Sequence, residues 1–435
     1  IEGSTEFDED IYHWAKSGSE VATCSVRPGN TQDLGKLLQL LHWTKTPFAV
    51  TGGGHSLNPG FSSTPGVHIS MSQFDRLKYN PNLQTIEIGA GLTWDNVYDL
   101  LVPLGYTVAG GRVRGGVGVA GFILGGGLSW ITNERGLTID TLLACDIVLP
   151  NGTVYTASDE SHPDLFFGLK GIVTQFTLRV FPQGNIWGGE VIVPETSIQQ
   201  ATTVIAKYAA TVSDPKATVN IIFEYAEGQM STIVILFYNG PQQPQYLFDE
   251  MLAIPGAVVH VSSMHFSALL GAGQPRRTPR RIQHVAPIQR WTPSILSAIG
   301  NETMFWGSYL EQYHSGHFFD YVVEIFLPDY YSHGKPSAWP ADRSVVHFPL
   351  NIAFAWFDEK EDAAVHFALQ ETVAKIKSDA EAEGQVLADA SLYPNLPIIG
   401  TPIEEMYGKN LEVLRAVRAQ YDPHRAMDLT GGWHF

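Results

Sequence analysis

The chain has 435 residues, 44% of them apolar, 11% aromatic and 16% charged, and its 27 basic residues face 44 acidic ones for a formal charge of −17. That length exceeds one ordinary core and suits about two domains, and the apolar share excludes a disordered or fibrous chain. The acidic balance repels phosphate backbones and anionic membranes, so no nucleic-acid partner is expected.

In chain order, 1-IEGSTEFDED-10 has neither a charged leader nor an apolar stretch, so a secretory signal is expected to have been removed or never to have existed. Leu34, Leu37, Leu38 and Leu41 recur at helical spacing behind Asn30-Thr31 and before Pro47, which predicts a helix over about 30–45. A short strand, 48-FAVT-51, runs into 52-GGGHS-56; further strands are expected at 66–72 and 85–91, and Thr93 is placed to cap a helix over 94–104. The segment 115–132 has membrane-like length, yet its repeated glycines fit a buried loop, so neither a transmembrane helix nor a membrane partner is expected. A hairpin over 142–157 turns at Asn151-Gly152, and a strand over 172–181 ends at a boundary around Pro182 to Asn185. Beyond it, an amphipathic segment near 195–212, strands at 217–226, 230–238, 318–327 and 344–357, and a helix over roughly 358–383 predict an antiparallel sheet covered by helices.

Three glycines before His55 sacrifice backbone order to present one imidazole, the pattern expected where a chain bends sharply or a ligand comes very close. Residues 116 to 121 match G-x-G-x-x-G, with Asp140 near the spacing of a ribose-binding acid. Gly125, Gly126 and Gly127 follow where a nicotinamide-binding helix should continue, so that reading is rejected. Successive N–H groups in such turns either form an anion-binding nest or simply pack closely, and both readings stand at this point. His314 and His317 have a spacing seen in metal sites but lack an evident third ligand, so a loop or pocket role is preferred and no metal is expected. Cys24 and Cys145 are too few for a disulfide framework or a cysteine-based zinc site; they are free, they pair, or Cys24 has lost a partner upstream. The sequons at Asn151 and Asn301 permit N-glycosylation of an exported protein, and a secreted glycoprotein is the expectation.

The order of 52-GGGHS-56, 111-GRVRGGVGVAGFILGGG-127, 146-DIVLPNGTV-154 and 164-DLFFGLKG-171, with the tail over 401–435, resembles the berberine-bridge-enzyme-like flavoproteins of the vanillyl-alcohol oxidase superfamily, particularly the fungal ones. The resemblance implies an α+β fold: a PCMH-type FAD-binding domain from 1–183 and 401–435, and a substrate domain over 184–400 whose antiparallel β-sheet is covered by helices. It implies FAD joined through its 8α-methyl to His55, and no cysteinyl link, because 112-RVRGGVGV-119 has no cysteine. An imidazole nitrogen is a competent nucleophile towards that electron-poor carbon, and small neighbours let the ring edge approach. The implied cofactor contacts are Gly52, Gly53, Gly54, Ser56, Gly111, Gly115, Gly116, Val117, Gly118, Gly121, Ile172 and Asn395. Val117 falls where the family places the residue governing oxygen access, and a valine resembles the oxidase version.

Hydride removal is helped by a base that takes the heteroatom proton. Glu324 interrupts the apolar 321-YVVEIF-326 and resembles the glutamate base of some relatives; a structural ion pair is the competing role. Tyr393 in 392-LYPNLPIIGTP-402 resembles the family's Tyr-x-Asn motif, placing Tyr393 to orient or deprotonate substrate and Asn395 to bond the cofactor. The expected function is an FAD-dependent oxidase: hydride from an alcohol, sugar or natural-product substrate to covalent flavin, with O2 returning H2O2 and the chain acting as a monomer. The alternative is a redox-silent binding protein or non-redox cyclase of the same fold. Leu396, in place of a second aromatic, favours that alternative, as does the direct run of Lys170-Gly171 into Ile172, where relatives carry a longer flavin-contacting segment.

Overall fold

The computed structural model describes residues 3–168, 171–271 and 280–435, so the Lys170 side of the short junction lies outside the described residues. Strands Cys24–Val26, Val67–Ser70 and Phe48–Thr51 form a small parallel sheet, with Val67–Ser70 in the middle. A second, antiparallel sheet runs in the order Leu77–Asn80, Thr85–Gly89, Ile172–Arg179, Leu142–Val148, Val154–Ser158. Helix Thr31–Thr44 starts where the Asn30 side chain accepts from the Asp33 amide, and ends at Lys45 in the left-handed region with φ 54°. The Trp94–Leu101 helix is shorter than its sequence pattern predicts; Pro103 cannot supply an amide to it, and the chain tightens into a 3₁₀ turn over Val102–Leu104.

The larger sheet has seven strands, all paired antiparallel, in the order Val258–Met264, Ile186–Pro194, Gln229–Tyr238, Ala217–Ala226, Gly316–Ile325, Phe348–Trp356, Arg280–Ile288. Strand residues alternate between faces. Tyr321 meets Thr372 of helix Asp362–Ala382 through a 3.0 Å hydroxyl contact, so Phe319, Tyr321, Val323 and Ile325 face the covering helices. Asp320, Val322 and Glu324 therefore face the other way, in register with Ala353, Asn351, Ile222 and Asn220. That second face meets the N-terminal half: Arg112 reaches Glu324, and Ser17 bonds Arg281.

The sequence pattern missed the strands Val258–Met264 and Arg280–Ile288 and the 21-residue helix Pro293–Tyr313. The helix carries its signals openly. Thr292 caps the Ile295 amide, Pro293 occupies the first turn, and Ile295, Leu296, Ile299, Thr303, Gly307 and Leu310 form the buried stripe. Strand Arg280–Ile288 is masked by two arginines, a glutamine and a histidine, which break an apolar pattern. The tail returns to the N-terminal half: Thr430 bridges Phe48 in parallel, and Tyr421 donates to Asp164 at 2.9 Å.

Both cysteines are free thiols, and burial pushes Cys145 up to about 12, leaving it inert near neutrality. His314 bonds Glu361 at 2.7 Å and His317 packs against Phe357; among the described residues no group of side chains is arranged to hold a metal. No helix among the described residues is long and apolar enough to cross a membrane. Asn151 sits exposed on the hairpin tip, whereas Asn301 lies inside a helix and Thr303 is buried.

Candidate active site

Strand Phe48–Thr51 delivers the chain into the loop 52–56, which lies against the second glycine-rich turn backbone to backbone. A Cβ on Gly53 would stand 2.5 Å from the Gly118 amide and 2.7 Å from the Gly116 carbonyl, distances real side chains do not adopt. Among the described residues, the amides of Gly53, Gly54, His55 and Ser56 donate to no acceptor of the protein. Successive unpaired N–H groups of this kind form an anion-binding concavity. The residues present thus fit the pyrophosphate of a dinucleotide without any basic side chain. Gly53→Ala is expected to force the two loops apart at about 1–3 kcal/mol; a lowered melting temperature and lowered flavin-to-protein absorbance would report it.

The other glycines have different tasks. Gly115 and Gly116, at φ 112° and 90°, donate their amides to the Asp95 carboxylate at 3.2 and 3.0 Å, so this nest holds the chain's own anion rather than a phosphate. Gly111 makes room for the Trp94 ring and accepts from Tyr98 at 2.8 Å, which is a packing role. Gly52 is exposed beside the Ala90 carbonyl; Gly121 lies on the short helix Val119–Leu124 with open space beside it; Val117 accepts from the Trp94 amide at 3.0 Å. Ile172 is buried at the start of its strand, opposite Val148, so its contacts are with the core. Asp140 pairs with Arg343 at 2.6 Å and accepts from Leu137, which removes it from any ribose role.

His55 is half-buried and stacks on Trp14, with ring centroids 5.1 Å apart and planes 28° from parallel. Burial first, and then the charge of Arg281, lower its pKa to about 4. The imidazole is therefore neutral across physiological pH, the form that has a nitrogen lone pair.

The inner face of the large sheet carries the second group. Arg112 leaves the glycine-rich turn, donates to Asn220 at 3.2 Å and ion-pairs with Oε1 of Glu324, while Trp130 donates to its carbonyl at 3.0 Å. Glu324 Oε2 is buried and has no partner. Tyr393 lies within electrostatic reach of both Glu324 and Arg112, and burial pushes its hydroxyl up to about 12. Asn395 donates to the Tyr393 hydroxyl at 3.0 Å and the Phe122 carbonyl at 3.2 Å, and its own carbonyl accepts from Gln283 at 2.9 Å. Its side-chain nitrogen thus bonds two groups of the protein. Glu324 does make the structural ion pair, but with one oxygen only.

The structure also brings in Trp14, Arg112, Arg281, Asp320 and Asn351, which sequence reasoning did not single out. Arg281 is buried, pairs with Asp320, and lies 5.5 Å from the Trp14 ring centroid. Asp320 Oδ1 and Asn351 Oδ1 are buried without partners on the same sheet face as Glu324 Oε2. The one available signal was charge interrupting an otherwise apolar strand or glycine run.

A glycine-lined nest on a mixed N-terminal half, facing the polar side of a seven-stranded antiparallel sheet, defines the PCMH-type flavin-binding fold. A family model described as an FAD binding domain matches residues 22–158. Physcomitrella patens BBE-like 1 has a similar structure, with a TM-score of 0.79 over 99% of this chain and 95% of that one at 17% identity. In sequence, the chain is 33% identical over 281 residues to an uncharacterized FAD-linked oxidoreductase of Arthroderma benhamiae, covering 62% of this chain and 56% of the relative. It is 29% identical over 448 residues to the FAD-dependent monooxygenase macF of Penicillium terrestre, covering 95% of this chain and 81% of the relative. The chain thus spans just over half the length of the first of these relatives. Residues 22–158 thus form an FAD-binding domain within a PCMH-type fold, the chain is similar in sequence to fungal FAD-linked oxidoreductases, and the nicotinamide pattern at 116–121 is a coincidence of glycine spacing.

Proposed function

We propose that the chain is an FAD-dependent oxidase acting on a small alcohol, sugar or natural-product substrate, with FAD carried by 1–183 and 401–435 and substrate bound by 184–400. Bound FAD would accept the hydride and pass its electrons to O2 as H2O2. The amides of Gly53 to Ser56 hold the pyrophosphate, and His55 tethers the 8α-carbon as the only covalent link. Tyr393, protonated at neutral pH because burial raises its pKa, orients the substrate heteroatom through a hydrogen bond. Glu324 takes the proton on Oε2 while Arg112 fixes the other oxygen. The observation that carries this reading is that unpartnered carboxylate oxygen, buried beside Tyr393 on the sheet face turned towards the glycine loops.

The tether has a direct test. Acid-precipitated protein is expected to keep its yellow colour in the pellet, and His55→Ala to release all of it to the supernatant. A colourless wild-type pellet would remove the covalent role of His55. Turnover under oxygen-18 gas separates the oxidase from the activity in macF's name: label in H2O2 supports the oxidase, whereas label in the organic product would replace it with a monooxygenase.

A further inference from the structure

The segment 12–18 belongs to no motif, yet it is stitched to both halves of the molecule. The Trp14 amide donates to the Gly54 carbonyl at 2.9 Å, and a Cβ on Gly18 would strike the Ser56 carbonyl at 2.5 Å. Three residues after Trp14, the Ser17 hydroxyl donates to the Arg281 carbonyl at 2.7 Å and accepts from the Arg281 amide at 2.9 Å. Trp14 is thereby fixed between a ring and a cation: the His55 imidazole stacks on it, and the Arg281 guanidinium lies 5.5 Å from its centroid. Arg281 is paired on one side by Asp320, while its Nη1 is buried without a partner.

We infer that Trp14 and Arg281 are positioning residues for flavin attachment, Trp14 fixing the plane of the His55 ring and Arg281 bracing Trp14 from its other side. This rests on the reading of His55 as the tether. In that step a bond forms between an imidazole nitrogen and the flavin 8α-carbon. One methyl C–H bond and the imidazole N–H bond break, the protons leave to solvent, two electrons enter the flavin, and O2 then removes them as H2O2.

A protonated ring has no lone pair to offer, so any group that disfavours protonation favours the bond. Burial and Arg281 both act in that direction on His55. The other charged or titratable groups nearby point elsewhere. His13 directs its nitrogens to Ile11 and Ser62, Lys16 is exposed, and Asp320 stands behind Arg281 as its counter-ion. Removing the Arg281 charge is expected to bring His55 partway back towards the ordinary histidine range, which matters at pH 5 and not at pH 7.5.

The full chain, produced under riboflavin limitation and incubated with FAD in air, tests this by the growth of acid-stable flavin in the pellet and the mass of the His55 peptide. Trp14→Ala is expected to slow attachment about tenfold at every pH, and Trp14→Phe to restore most of it. Arg281→Met is expected to match wild type at pH 7.5 and to fall roughly twofold behind at pH 5, with Arg281→Lys restoring the acid limb. Arg281→Met leaves Asp320 buried and unpaired, so the Arg281→Met/Asp320→Asn variant, which removes both charges, carries the same test where the single variant does not fold. Equal pH profiles for Arg281→Met and wild type, or unchanged attachment in Trp14→Ala, overturn the inference while leaving the tether standing. A wild-type pellet without flavin overturns both.

Discussion

Glu324→Gln is expected to lower kcat/KM by about 10²–10⁴-fold, the range lost when a positioned proton acceptor is removed. The side chain keeps its shape and its contact with Arg112, but Oε2, the buried oxygen without a partner, is replaced by an atom group that cannot take a proton at neutral pH. Rapid-mixing measurement of flavin bleaching by substrate without oxygen isolates this step from reoxidation. Tyr393→Phe supplies the contrast. Because the Tyr393 hydroxyl is raised to about 12, it orients without giving up its proton below about pH 10, so its loss is expected to raise KM and lower kcat more modestly, with no new pH dependence. A Glu324→Gln variant bleaching at the wild-type rate would reassign the base.

Arg112→Met is expected to destabilise the protein by about 3–5 kcal/mol, the cost of leaving one member of a buried ion pair uncompensated. The pair is well shielded, with side-chain exposures of 16% for Arg112 and 4% for Glu324, and Asn220 loses a donor as well. Arg112→Met/Glu324→Gln removes the stranded charge and is expected to recover at least half of that loss, as measured by the urea midpoint. It should not recover activity. The two readouts separate the part this pair plays in joining the halves from its part in chemistry.

Local pattern revealed much of this architecture. Helix Thr31–Thr44 and the hairpin through Asn151-Gly152 lie within a residue or two of their expected bounds, because capping, periodicity and turn chemistry act over a few residues. The glycine run before His55 was legible for the same reason. The rest of the candidate site was not, because its bonds span the chain: Arg112 and Glu324 are 212 positions apart, and Ser17 and Arg281 are 264 apart. No periodicity connects such pairs. Asn395 illustrates the limit, since its motif was evident but its donors turn to Phe122 and Tyr393 of its own chain. Gly115 and Gly116 do as well: their conformation was foreseeable from composition, but the Asp95 carboxylate that fills their turn was not.

The bridge between Phe48 and Thr430 sets an order on biosynthesis. The strand leading to His55 is an edge of its small sheet, and its open flank is completed only once Thr430 has been synthesised, so an excised N-terminal half would lack that flank.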